Sequence, residues 1–249
     1  MSIIIKSKRE IEAMRHVGHI VAKVLEVLKR EIKLGMKTKE LDSIACKELE
    51  KRGARPSFKG YRGFPASLCV SINNEIVHGI PGERIMDEGD IISRDLGAIY
   101  EGFQGDAAVS VILGDGSPQA KKLVEATEKA LEVGIEAANN GARLGDISAA
   151  IQMYAESRGY SVVREYTGHG IGRQMHEEPQ IPNFGRKGEG PKLKKGMTLA
   201  LEPMLNIGSW RTCVGGDGWV VSTIDGSLSA HFEHTIAITD GKPEILTAF

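Results

Sequence analysis

The segment 89–109, GDIISRDLGAIYEGFQGDAAV, constrains the fold more than any other, because it places two aspartates inside an apolar run typical of a β-hairpin. Acidic residues are uncommon in strands. A two-residue turn at 101–102, with glycine second, sets Gly97 opposite Asp106. Since side chains alternate along a strand, Asp95 shares a face with Gly97. The hairpin register therefore predicts that Asp95 and Asp106 are diagonal neighbours on one face of a sheet.

Two carboxylates that lie this close together need a compensating charge. Like charges repel, and a site that excludes water makes the repulsion worse, so either a cation lies between Asp95 and Asp106 or one of them is protonated. Further acids in strand-like runs favour the cation: Glu202 lies in TLALEPM and Glu233 in AHFEHTIAI. His169, in TGHGIG, adds an imidazole.

This set of side chains predicts the kind of cofactor. Four carboxylates and one imidazole suit two divalent ions, which bridging carboxylates hold roughly 3.5 to 4 Å apart. Oxygen-rich ligation with one nitrogen fits manganese, iron or cobalt at least as well as zinc. GHGIG lacks the third glycine and the downstream acid of a dinucleotide-binding loop. We therefore predict two divalent metal ions, of cobalt, manganese, iron or zinc.

The composition excludes several other classes of protein. The chain has 249 residues, 41% of them hydrophobic, which is enough for one large domain or two fused halves. Lys and Arg number 32 against 33 Asp and Glu, so no basic excess indicates nucleic-acid binding. Three cysteines without paired zinc-type spacing favour reduced thiols. The charged N-terminal segment is neither a signal peptide nor a membrane anchor, so we expect a cytoplasmic protein.

Helical periodicity occurs in two pairs of segments, and strand-like runs follow each pair. A capping box at Ser7 predicts a first long helix, and Thr38 is predicted to cap the second. Ser117-Pro118 begins a third helix, and residues 146–158 form a fourth. Helices followed by strands indicate an α+β fold, in which helices cover one face of an antiparallel sheet and the acids line a cleft on the other face.

The two halves of the chain also resemble each other. Segments 35–53 and 141–159 have the same length and the same terminal glycines. Further along the chain from each segment there is another glycine with an acid six residues after it. We interpret this as an internal duplication, approximately 8–113 and 117–249, within a single catalytic domain spanning 1–249. Chance similarity between two helix-turn-strand units is the alternative.

The motifs around these acids occur together in one known family. Asp95 precedes Asp106 by eleven residues, and the further motifs are NNEIVHGIPG around His78, GHGIG around His169, HEEP from His176, LEPM at Glu202 and EHT at Glu233. In this order and spacing they cover essentially the whole chain, which resembles the bacterial-type, type I methionine aminopeptidases of peptidase family M24. The resemblance implies a pita-bread fold, with two pseudo-symmetric halves, helices over a curved antiparallel sheet, and a central dinuclear metal cleft.

The resemblance also implies roles for particular residues. The metal ligands it implies are Asp95, Asp106, His169, Glu202 and Glu233. The catalytic residues it implies are His78, His176 and Glu202, the last as a proton shuttle. The substrate-binding residues it implies are Tyr61, Phe64, Cys69, His78, Met175, His176 and Trp219. An aromatic and sulfur-containing pocket suits the flexible thioether of methionine.

The function implied by the resemblance is metal-dependent hydrolysis that removes N-terminal methionine and prefers a small second residue. Its partners are N-terminal Met peptides and nascent chains at the ribosome, and we expect a monomer. Two alternatives stay open. One is an Xaa-Pro-type aminopeptidase of the same fold, although such relatives normally have an extra N-terminal domain. The other is a non-catalytic pita-bread binding module. All five ligand positions are filled, which argues against this alternative.

Four residues depart from the pattern of the family, namely Arg94, His231, Phe58 and Met175. Arg94 occupies a position where the family usually has an aliphatic residue, and strand alternation directs it away from the cleft, toward the helix-covered face. A buried cation there needs a partner. His231 stands where the family usually has glutamine, and it is expected to share a face with Glu233, near the metal ligands.

Overall fold

Four α-helices lie within residues 2–248, the part of the chain that the computed structural model describes. They are α1 (Lys8–Glu31), α2 (Thr38–Lys51), α3 (Pro118–Ala137) and α4 (Leu144–Glu156). The capping box at the start of α1 is confirmed, because Ser7 accepts a hydrogen bond from the Glu10 amide and the Glu10 side chain returns to Ser7. Ser117 caps α3 as predicted.

Two helix starts differ from the prediction. Thr38 is the first residue of α2 and does not cap it, because its hydroxyl is hydrogen-bonded to the backbone of Gly82. Helix α4 begins two residues before Asp146, whose carboxylate accepts a hydrogen bond from the Arg143 amide at 2.7 Å. An acid at the third helical position stabilises that end of a helix, which is why the start lies upstream of Asp146.

Most strands belong to one antiparallel sheet. The strands are β1 (Arg55–Pro56), β2 (Cys69–Ile72), β3 (Glu75–Val77), β4 (Ile91–Tyr100), β5 (Phe103–Ile112), β6 (Ser161–Val162), β7 (Thr167–Gly170), β8 (Glu177–Pro182), β9 (Thr198–Leu201), β10 (Met204–Asn206), β11 (Thr212–Val214), β12 (Val221–Thr223), β13 (Ser229–His231), β14 (Glu233–Ala237) and β15 (Glu244–Ile245). The main sheet has the order β1-β4-β5-β14-β9-β7-β8, with β2 paired to β4 and β15 to β14. Two three-stranded sheets, β13-β10-β6 and β11-β12-β3, lie beside it.

The central hairpin has the predicted register. Glu101 and Gly102 form its turn, both with positive φ, which a two-residue hairpin turn of this kind requires. Gly97 lies opposite Asp106, and Asp95 lies opposite Ala108. Because the turn fixes the register of both ten-residue strands, it also fixes which side chains face the cleft.

The helices cover one face of the sheet, as predicted. Helix α1 packs on β4 and β5, and α3 packs on β5, β13 and β14. Each helix pair has its own hydrophobic core, one built around the buried side chains of α1 and α2 and the other around those of α3 and α4. This arrangement leaves the opposite face of the sheet free of helices at the level of β4, β5 and β14. Within residues 2–248, no helix has the length and apolar character needed to cross a membrane.

Candidate metal centre

Three adjacent strands carry the acids to one point of the sheet. Asp95 on β4 and Glu233 on β14 both lie opposite Ala108 of β5, and Asp106 is two residues away on the same face of β5. Thr235 joins β5 to β14, since its hydroxyl donates to the Asp106 carbonyl at 2.8 Å and accepts from the Asp106 amide at 3.1 Å. The sheet register therefore holds three carboxylates together.

The glycines of the GHGIG motif serve strand packing. A Cβ at Gly168 would lie 2.5 Å from the Ala200 carbonyl oxygen, and one at Gly170 would lie 2.2 Å from the Glu178 carbonyl oxygen. Strand β7 therefore lies so close to its neighbours that only glycine fits on either side of His169. The His169 Nδ1 donates to the Gly170 carbonyl at 2.9 Å. This bond fixes the ring and leaves Nε2 free to bind a metal.

Glu202 completes the group from the end of β9. Its Oε1 lies 3.7 Å from His169 Nε2, and its side chain is largely buried. The Asn183 side chain of the PNFG segment donates to the Glu202 backbone carbonyl at 3.0 Å. The loop after β8 thus fixes the backbone from which this carboxylate projects.

The donor set fits divalent metal. One ligand atom each from Asp106, His169 and Glu233 lies within 4.8 Å of the others. The Oδ1 atoms of Asp95 and Asp106 and the Oε1 atom of Glu233 are buried and have no hydrogen-bond partner among the described residues. Buried polar atoms without partners are rare, and oxygen atoms of this kind are the ligands that divalent ions take. The residues present therefore match a metal centre.

The electrostatics of the cluster indicate the same need for positive charge. Burial raises the pKa of Asp106 to about 7. Burial, with the negative charge of Asp106 next in size, raises the pKa values of Asp95, Glu202 and Glu233 well above their usual range. Burial lowers the pKa of His169 to about 3, so its imidazole is neutral at pH 7. A neutral imidazole among carboxylates is in the protonation state that metal binding requires.

A cavity of about 300 Å³ opens beside the acids. All five predicted metal ligands line it, together with six of the seven predicted substrate-binding residues: Tyr61, Phe64, Cys69, His78, His176 and Trp219. Phe64 meets Trp219 edge to face, with ring centroids 5.2 Å apart. Cys69 is opposite Asp95 in the register of β2 and β4, so this aromatic pocket directly adjoins the acids.

Two histidines line the boundary between the pocket and the acids. His176 Nδ1 lies 2.9 Å from the Tyr61 hydroxyl, with the two rings stacked, and its ring centroid is 4.3 Å from that of His169. His78 has a positive φ of 61° and contacts Trp219 edge to face. Burial lowers the pKa of His78 to about 4 and also lowers that of His176, so both imidazoles are neutral at pH 7.

Met175 is not among the residues that line the cavity. It is buried beside it, because a Cβ on Gly97, on the cleft face of β4, would lie 2.7 Å from the terminal methyl group of Met175 and 2.8 Å from the ring of Phe58, which does line the cavity. Its role in substrate binding stays a prediction. The cavity has further lining residues that were not predicted as site residues: Phe58, Arg62, Val77, Glu165, Tyr166 and Thr167. Residues 165–167 directly precede the GHGIG motif, and this position in the sequence could have identified them as part of the site.

Arg94 and His231 have different surroundings. Arg94 is fully buried on the helix-covered face, as predicted, but its guanidinium has no hydrogen-bond partner among residues 2–248. His231 is buried in β13 and does not line the cavity. Its backbone is fixed by Ser110, whose hydroxyl donates to the His231 carbonyl and accepts from the His231 amide.

Comparison with known proteins assigns this arrangement to a family. The model of the family described as Metallopeptidase family M24 matches residues 12–240. Methionine aminopeptidase 1 of Bacillus subtilis is 54% identical over 245 residues, covering 98% of this chain and 99% of that protein. Methionine aminopeptidase of Clostridium acetobutylicum is 53% identical over 246 residues, covering 98% of both. The crystal structure of methionine aminopeptidase from Thermotoga maritima has a TM-score of 0.98 at 46% identity, with 100% of both chains covered.

The chain therefore belongs to metallopeptidase family M24. Methionine aminopeptidases are among the relatives that it matches over nearly the full length of both chains, at 46–54% identity. The predicted α+β fold of the pita-bread type is confirmed by the match to the Thermotoga maritima structure. The family makes the protein a hydrolase that depends on divalent metal.

Proposed function

We propose that the protein removes N-terminal methionine from peptides and nascent chains in the cytoplasm, acting as a monomer with two divalent ions and preferring a small second residue. The observation that supports this most is the single cavity that joins the acid cluster to an aromatic pocket. The five proposed metal ligands are Asp95, Asp106, His169, Glu202 and Glu233. The names of the full-length relatives favour this activity over Xaa-Pro cleavage or a non-catalytic module.

Divalent ions in this site supply Lewis-acid polarisation of the scissile carbonyl and water of lowered pKa. The protein provides the groups that surround the reacting atoms. Glu202 is proposed to hold and return the proton, since it lies just after β9, lines the cavity and has its Oε1 3.7 Å from His169 Nε2.

His78 and His176 are proposed to donate hydrogen bonds to the substrate. Both are neutral at pH 7, so each offers one N–H to a carbonyl oxygen without bringing a charge. When the Tyr61 hydroxyl donates to His176 Nδ1, the proton of the imidazole is on Nε2. A pre-oriented donor of this kind stabilises negative charge that develops on oxygen.

The pocket is proposed to bind the methionine side chain. Phe64 and Trp219 provide aromatic faces, and Cys69 provides a small apolar surface next to the acids. Sulfur contacts with aromatic rings are favourable for a flexible thioether. Because the pocket adjoins the acids, a methionine bound there would have its α-amine and its peptide carbonyl beside the residues that would hold the metals.

The test is release of methionine from Met-Ala-Ser by metal-stripped protein, with and without cobalt, manganese, iron or zinc. We expect release only after metal is restored, and much slower cleavage of Ala-Pro-Ala under the same conditions. Faster cleavage of Ala-Pro-Ala would replace the proposed substrate with Xaa-Pro peptides. No release from either peptide by folded, metal-loaded protein would support the non-catalytic module.

Tyr61→Phe is expected to lower kcat for Met-Ala-Ser about three- to ten-fold, with KM nearly unchanged. The substitution keeps the stacked ring but removes the hydroxyl 2.9 Å from His176 Nδ1, and one neutral hydrogen bond contributes about 0.5–1.5 kcal/mol. Steady-state kinetics measure the effect. Tyr166→Phe is the matched control, because its hydroxyl lines the same cavity without a hydrogen-bond partner among the described residues. Equal losses in both variants would contradict the orienting role.

A further inference from the structure

A second cavity lies on the opposite side of the sheet from the acids. It has a volume of about 480 Å³ and lies between α1 and α3, over β5 and β14. Its apolar wall consists of Ala22, Leu25, Ala107, Val109, Val111, Val124 and Phe232. Arg94 also lines it, from the helix-covered face of β4. This cavity is separate from the proposed metal centre, since strand alternation puts Arg94 and Asp95 on opposite faces.

The guanidinium of Arg94 is in an unusual state for a buried cation. The residue has 0% exposure, and its Nε, Nη1 and Nη2 atoms form no hydrogen bond within residues 2–248. It forms no ion pair with any described carboxylate. A buried charge without a partner costs several kcal/mol, so such groups are normally paired. Arg94 therefore provides five N–H groups for an anion.

The other polar groups of the cavity do not fill this role. His234 and Thr247 are hydrogen-bonded to each other at 2.9 Å. Glu26, Lys29 and Glu128 line the cavity but are exposed, which places them at its mouth. The Ser110 hydroxyl is hydrogen-bonded to the backbone of His231. The interior of the cavity thus presents an apolar wall and Arg94, whose guanidinium has no partner among the described residues.

We propose that this cavity binds a small carboxylate with an apolar tail. The carboxylate pairs with the Arg94 guanidinium, whose planar fork matches two carboxylate oxygens. The tail contacts Leu25, Val124 and Phe232 along the wall. A phosphate dianion fits less well, because one guanidinium neutralises only half its charge.

The experiment is calorimetric titration of octanoate into the cobalt-loaded protein, with octanol as the uncharged control. We expect octanoate to bind with one site per chain, and octanol to bind at least ten-fold more weakly. Arg94→Ile is expected to weaken octanoate binding by about ten- to hundred-fold, as is typical for loss of a charge-assisted pair. Isoleucine suits a buried strand, and Arg94→Met is a second variant if Arg94→Ile does not fold.

Several results would overturn the proposal. Unchanged octanoate binding in Arg94→Ile would place the carboxylate at the metal centre instead. Absence of binding to the wild-type protein would show that the cavity is not a carboxylate site. Glu26→Gln and Glu128→Gln test internal pairing: octanoate binding that occurs only in one of these variants means that a glutamate from the mouth of the cavity pairs with Arg94 in the native protein.

Discussion

Asp106→Asn is expected to lower methionine release from Met-Ala-Ser about a thousand-fold or more at saturating metal. Asp106 lies between Asp95 and Glu233 in the sheet and is one of the three residues whose ligand atoms lie within 4.8 Å of one another. Asparagine keeps the size but loses the charge and one ligating oxygen. Metal ions contribute several kcal/mol to such reactions, and each 1.36 kcal/mol is a factor of ten in rate.

Metal content and fold must be measured together with activity. The Asp106→Asn protein is expected to bind less cobalt in calorimetric titration, yet to stay folded when stripped, because one of several repelling acids has become neutral. Asp115→Asn is the control, since Asp115 is exposed and pairs only with Lys121 on the surface. Retention of more than a tenth of the activity by Asp106→Asn would show that Asp106 is not a required ligand.

The hairpin and the acids on it were predictable because two local rules fix them. A glycine turn sets the register, and strand alternation then decides the face of every side chain. The same rules predicted that the Arg94 side chain points toward the helix-covered face of the sheet. His169, Glu202 and Glu233 come from separate strands, and their convergence followed from motif order and not from local geometry. Their placement around one cavity is a tertiary result.

What the sequence did not provide is side-chain packing between distant segments. Met175 precedes His176 in a short loop, and its terminal methyl group is buried against Gly97 and Phe58 on the cleft face of β4, which the sequence of the loop does not reveal. The hydroxyl of Thr38 was predicted as a helix cap, but the backbone of Gly82, 44 residues away, competes for it. The unpaired state of Arg94 depends on which side chains α1 and α3 place over β4, and strand periodicity contains no information on that.

As the pH rises from about 5 to 7, the metal-stripped protein is expected to lose stability relative to the metal-saturated protein. The pKa of Asp106 is raised to about 7, and those of Asp95, Glu202 and Glu233 are raised well above their usual range by burial and by Asp106. A carboxyl with a raised folded-state pKa keeps its proton in the folded state after losing it in the unfolded state. Its stabilising contribution is complete below the unfolded pKa and is lost as pH rises through the folded pKa.

Comparing the stripped with the saturated protein separates the acids from the histidines. Burial lowers the pKa values of His78 and His169 to about 4 and about 3, so below pH 6.5 the unfolded chain binds protons that the folded chain does not, and this effect opposes that of the acids. These histidines are neutral in the folded state with or without metal, so their effect cancels in the comparison and the acids determine the difference.

Each proton held only by the folded state lowers the free energy of unfolding by about 1.4 kcal/mol per pH unit, hence by about 2 kcal/mol over this window. For a chain of this size that corresponds to a fall in Tm of roughly 4–8 °C, measurable by thermal unfolding with chelator or with saturating cobalt. Bound metal replaces the protons as the positive charge among the carboxylates, so this loss is absent from the saturated protein. Equal slopes with chelator and with cobalt would mean that the acid cluster is not where the metal binds.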